Sequence, residues 1–95
     1  MPAPPVVNIA KPNAGGVSHN QYTKFDVSSK GAVLNNSTTT VNTTVAGSVA
    51  ANPNLTDGTA TTIVNEVNST ARSQILGTVE VAGDKANVGQ VQSLL

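Results

Sequence analysis

Asn52-Pro53-Asn54-Leu55, followed by Thr61-Thr62-Ile63-Val64-Asn65-Glu66-Val67, is the stretch on which the fold turns. Pro53 fixes its own φ and pushes Asn52 towards an extended backbone. Asn54 hydrogen-bonds readily to its local main chain, so the first tetrapeptide reads as a turn. Leu55 gives that turn an apolar anchor. The second segment is strand-like, and it carries an acid, Glu66, in a chain with only five acidic residues.

Working outward, the same strand-and-turn alternation recurs. Val6-Val7-Asn8-Ile9 is a short strand candidate closed by Lys11-Pro12-Asn13 and Gly15-Gly16. Val17 to His19 is a brief extended piece. Tyr22 to Val27 alternates with period two, which predicts a strand with Phe25 and Val27 on one face. Ser28 to Gly31 reads as a turn and Ala32-Val33-Leu34 as the strand returning from it. Thr38 to Thr44 is a loop or an edge strand, and Val45 to Ala50 alternates as a strand. Asp57-Gly58 is a further turn signal. Ile75, Gly77, Val79 and Val81 alternate, with Glu80 facing the other way. Short strands broken by Gly, Asn, Asp and Ser predict an all-β domain.

Composition supports that class. Hydrophobic residues make up 38% of the 95 residues but aromatics only 2%, so the core is built from Val, Ala, Leu and Ile. A thin core of stacked aliphatic residues with Asn or Thr ladders suits a solenoid. No clean repeat of solenoid length is visible, however, and sandwich and barrel stay open on pattern alone. The formal net charge is zero, which offers nothing to a phosphate backbone, and nucleic acid is not an expected partner. Without cysteine there is no disulfide and no thiolate chemistry. No stretch is apolar enough to span a bilayer as a helix, and Met1 to Pro5 does not have the pattern of a signal peptide.

Candidate chemistry is sparse. His19 is the single histidine. Its neighbour Ser18 points to the opposite strand face, so the two do not form a nucleophile and base. A lone histidine without cysteine makes a poor metal site; the preferred reading is a side chain bonding a loop backbone. Glu66 and Glu80 approach one another only if their strands stack, and no nucleophile or cleft is implied beside them. Glu66 is expected to face solvent or bond a turn. Asp57 and Asp84 have turn roles. Catalysis, a cofactor, a metal and a small-molecule substrate are therefore not expected. Asn35, Asn36, Asn42, Asn54 and Asn68 head glycosylation-type tripeptides, which arise readily by chance in so Asn-, Ser- and Thr-rich a chain. Val88, Val91 and Leu94-Leu95 have roughly helical spacing, so the end is an amphipathic turn or unstructured.

The order of these pieces carries a resemblance. Val6 to Ile9, Gly16-Val17-Ser18-His19-Asn20, Tyr22, Phe25-Asp26-Val27 and Gly31 to Ser37 are followed by Asn52 to Leu55, Ile63 to Val67, Leu76-Gly77 and Glu80 to Gly83. The whole resembles the start of the two-partner secretion domain that opens filamentous haemagglutinins, large haemolysins and contact-dependent inhibition proteins of Gram-negative bacteria. The resemblance spans about Val6 to Val88. It implies a right-handed parallel β-helix with an N-terminal cap, here a few rungs long. It also implies recognition by the periplasmic domains of an outer-membrane β-barrel transporter, with export to the cell surface or medium. Asn52, Pro53, Asn54, Leu55, Asn65, Glu66 and Val67 match motifs linked in the family to stability and secretion. The expected organisation is an extended Pro-rich arm over 1–5, the N-terminal part of the secretion domain over 6–88, and a divergent tail over 89–95. The tail departs from the family pattern, which continues after Ala86-Asn87-Val88 into an apolar strand and a second Asn-Pro turn. Self-association through an open solenoid end, or a small adhesive protein, is the alternative expectation.

Overall fold

The computed structural model describes residues 4–70 and 73–92. Its strands, in chain order, are β1 (Val6–Asn8), β2 (Val17–Tyr22), β3 (Ala32–Asn36), β4 (Val41–Thr43), β5 (Gly47–Val49), β6 (Thr62–Val67), β7 (Val79–Gly83) and β8 (Asn87–Gln92). Two three-stranded sheets, ordered β1-β3-β7 and β2-β6-β8, are parallel throughout. Val27 and Ile75 form a parallel bridge on a third face. The chain thus winds as a coil: β1, β2 and Val27 form the first turn, β3, β6 and Ile75 the second, β7 and β8 the third. This is the parallel β-helix that the resemblance implied.

The winding follows from the alternation. In β6, Ile63, Asn65 and Val67 are buried while Thr62, Val64 and Glu66 are partly exposed, as period-two packing on one core face requires. Ile9, Phe25, Val27, Ala32, Leu34, Leu55, Ala60, Ile63 and Val67 form the internal cluster. Stacked aliphatic side chains fill it, and the one aromatic pair, Tyr22 and Phe25, sits at its edge with centroids 4.9 Å apart. Every residue of β3 is buried. Its inner face carries Ala32 and Leu34; its outer face carries Val33 and Asn35, with Asn35 Nδ2 donating to Ala50 O beyond β5. The antiparallel β4–β5 hairpin is therefore an insertion laid over the helix.

Two expectations are corrected. The strand returning after Gly31 is not a hairpin partner: β3 pairs in parallel with β1 and β7. The alternation of Tyr22 to Val27 is not one strand; β2 ends at Tyr22 and the chain turns a corner before Val27. Phe25 and Val27 are nonetheless both buried, because alternation reports which side chains go inside and not how the backbone travels between them.

The chain end differs too. Residues 87–92 are strand β8, in register with β6 from Thr62↔Asn87 to Val67↔Gln92. Helical spacing of Val88 and Val91 loses to the ladder that β6 offers. Leu94 and Leu95 lie outside the described residues, as do Met1 to Ala3 of the Pro-rich arm.

Corners are tight. A Cβ placed on Gly77 would lie 2.3 Å from Ser28 O and 2.7 Å from Gly31 N. The third turn of the helix thus passes its neighbour at a distance only glycine permits.

Candidate functional site

The asparagine-proline turn is a clamp between the first two coils. Asn52 is buried, and its backbone N–H donates to Ser37 O at 2.8 Å. Its side-chain Nδ2 donates to Ile9 O at 3.0 Å and to Asn35 O at 2.9 Å. Its Oδ1 accepts from Asn54 N at 2.9 Å, closing the local turn predicted from sequence. Asn54 Nδ2 adds a bond to Ile9 O at 3.1 Å. Leu55 N returns to Asn52 O, and the Leu55 side chain enters the internal cluster. Pro53 and Asn54 face outward. One amide thus satisfies the end of β1 and a carbonyl of β3, groups that would otherwise be buried polar orphans.

Asn65, Glu66 and Val67 divide by face. Val67 is fully buried in the cluster. Asn65 is buried beside its register neighbour Asn20, and its Oδ1 accepts from Tyr22 Oη at 3.4 Å. Asn65 Nδ2 is buried without a partner among the described residues. Burial raises the Tyr22 phenol above its ordinary range. Glu66 lies on the outer face of β6, where its Oε1 is 2.5 Å from His19 Nε2 of β2. His19 therefore does not bond a loop backbone. Parallel pairing of β2 with β6 sets it diagonally from Glu66 on the outer face, while Ser18 turns inward to donate to Ala10 O at 2.7 Å. The Asn52 turn and the Glu66 strand are separate features of one coil.

Glu66 and Glu80 do not meet, since they sit on different sheets. Glu80 instead accepts from Val45 N at 2.8 Å and Thr44 N at 3.1 Å, holding the tip of the β4–β5 hairpin. Sequence reasoning missed this role, and also those of Asn20, Asn35 and Asn36. Asn35 Nδ2 reaches Asn8 Oδ1 at 3.0 Å in the preceding coil, and Asn36 Nδ2 bonds Ala60 O and Asp84 O, both at 2.9 Å. The signal for them was present as asparagines inside otherwise apolar strands; which carbonyls they meet was not.

Among the described residues no cluster of His, Asp and Glu could hold a metal ion. Two further ion pairs, Lys11–Asp57 at 2.8 Å and Lys24–Asp26 at 3.3 Å, are exposed. Backbone donation from Gln74, with help from Lys24, holds the Asp26 carboxyl below its ordinary range. The arrangement is a set of staples and surfaces, suited to holding a shape and presenting it.

Comparison with known proteins agrees. The family model described as TPS secretion domain matches residues 3–89. The chain is 51% identical over 84 residues to "Toxin CdiA" of Yersinia pestis, covering 88% of this chain and 2% of that protein. It is 46% identical over 84 residues to "Filamentous hemagglutinin" of Bordetella pertussis (strain Tohama I), again covering 88% of this chain and 2% of that protein. A solved structure, "Crystal structure of filamentous hemagglutinin secretion domain", superposes with a TM-score of 0.84 at 46% identity, over 87% of this chain and 28% of that one. The chain spans a small fraction of the length of the curated relatives it matches.

Proposed function

The chain belongs to the TPS secretion domain family, the secretion-targeting part of haemagglutinin- and CdiA-like exoproteins, and we propose that its periplasmic form is bound by the periplasmic domains of an outer-membrane β-barrel transporter of a Gram-negative bacterium. The module is then carried to the cell surface or the medium. Its work is binding and folding; the toxin and nuclease names of relatives describe proteins of which this region is 2–3%. The module spans residues 6–88, with divergence beginning at Gly89.

One observation carries the reading: the turn Asn52 to Leu55 adds a buried side-chain tie between the first coil and the second, beside their strand ladders. A chain emerging from a pore N-terminus first acquires that tie as soon as residues 52–55 are out, so folding outside would resist backward slippage. The edge strands β1, β2, β7 and β8 and the outward side chains of Pro53, Asn54, Glu66 and His19 support recognition by strand addition and side-chain contact. Ile75 and Leu76 of the second coil and Val88 and Val91 of β8 are exposed apolar side chains, which supports the alternative reading of self-association.

Isothermal titration of the purified chain against the periplasmic domains of its transporter tests the proposal. Saturable association is expected. A folded chain that shows no association would overturn it.

A further inference from the structure

Asp57 and Gly58 lie at the tip of the connector between the asparagine-proline turn and β6. The connector is held at both ends. Leu55 is anchored in the cluster, and Ala60 is buried with its N–H on Asn36 Oδ1 at 2.8 Å. Between these points the Asp57 side chain is 73% exposed, its Oδ2 being 2.8 Å from Lys11 Nζ. Gly58 has φ +109°, and a Cβ placed on it would meet nothing within 4 Å. Its N–H donates no hydrogen bond among the described residues.

We propose that Asp57–Gly58 is a site of spontaneous backbone modification, converting to isoaspartate through a succinimide. The Gly58 amide nitrogen bonds to Asp57 Cγ; the nitrogen's proton and the carboxyl OH leave as water. Water then opens the five-membered ring. Cleavage of its bond to the main-chain carbonyl leaves isoaspartate, and cleavage of the other restores aspartate. No oxidant, reductant or enzyme is required. Glycine suits the step because no side chain blocks the approach and its backbone turns freely.

Asp26 and Asp84 are protected. Val27, after Asp26, is a buried β-branched residue whose N–H is committed to Gln74 O at 2.8 Å. Asp84 is followed by Lys85, and its Oδ2 accepts from Thr59 Oγ1 at 2.7 Å. Lys11 acts as a brake at Asp57, because its 2.8 Å contact with Oδ2 restrains the carboxylate from turning onto the Gly58 nitrogen. Conversion adds a methylene to the main chain between Leu55 and Ala60 and breaks the Lys11 contact. It slackens the one connector joining the clamp to β6. This inference is independent of the export reading.

The folded chain is aged for weeks at neutral pH in oxygen-18 water, then digested and analysed by mass spectrometry with isoaspartyl-methyltransferase labelling. Oxygen-18 incorporation and label are expected in the Asp57 peptide and not in the Asp26 or Asp84 peptides. Asp57→Glu should lose both signals, since the larger ring closes poorly, and Lys11→Met should convert faster. An Asp57 peptide that stays unlabelled while the same synthetic peptide converts would overturn the proposal. So would equal labelling at all three aspartates.

Discussion

Asn52 donates its side-chain amide to the carbonyl oxygen of Ile9 at 3.0 Å, joining residues 43 positions apart. The bond fastens the turn of the second coil to the end of the first. Removing it by Asn52→Ala takes the side-chain donor from the Asn35 carbonyl, leaves Ile9 O only the Asn54 amide, and opens the turn at Asn54 N–H. With each unsatisfied group worth about 1–3 kcal/mol, a loss of roughly 3 kcal/mol is expected by urea denaturation. Asn52→Asp should be no better, since it replaces the donor with a carboxylate oxygen facing two carbonyl acceptors.

Asn65 should behave differently although it is equally buried. Its amide nitrogen already lacks a partner and its oxygen makes one long bond to Tyr22. Asn65→Thr, of similar volume, should change stability by less than about 1 kcal/mol. Glu66→Gln should likewise change it by less than about 1 kcal/mol, as expected for a partly exposed pair with His19. Weakened transporter binding by these two folded variants would assign them to recognition.

Gly77→Ala should destabilise by about 2 kcal/mol or more, because its Cβ would press on the Ser28 carbonyl and the Gly31 backbone. Gly47→Ala at the start of β5 meets open space and only the strain of φ +68°. It should cost about 1 kcal/mol. Thermal denaturation of the two variants side by side separates crowding from backbone strain.

Glu80→Gln tests the hairpin latch. The carboxylate accepts two backbone N–H groups, from Thr44 and Val45; a neutral amide accepts more weakly and turns its NH2 towards one donor. Amide hydrogen exchange should speed up at Thr44, Val45 and along β4–β5, while β2 and β6 keep their protection.

The pH dependence follows from Asp26. Its carboxyl is held below the ordinary range chiefly by the Gln74 N–H. A lowered folded-state pKa contributes stability that is present above the unfolded value and lost as pH falls through the folded one. Melting temperature should therefore drop below the usual aspartate range, and Asp26→Asn should flatten that part of the profile.

The strands of this chain are legible because Ile63, Asn65 and Val67 alternate with Thr62, Val64 and Glu66, and burial on one face follows from a period of two. The Asn52 turn is legible because Pro53 and Asn54 constrain the backbone locally, whatever lies around them. The helix repeat is not. Strand partners run Val17, Thr62, Asn87, unequal steps produced by the β4–β5 insertion, so similarity at a fixed period is erased. Glu66 in its strand was visible; its pairing with His19 was not, since it depends on which strand lies beside β6.

The sequence by itself determined an all-β chain, its turns, its small-residue core and, through the order of its motifs, its family. Only the tertiary structure decided that β3 runs parallel between β1 and β7, that Asn52 spans two coils, and that Glu80 holds a hairpin. Local backbone preference and alternation act over a few residues, whereas these contacts join groups tens of residues apart, and only the winding of the chain brings them within hydrogen-bond reach.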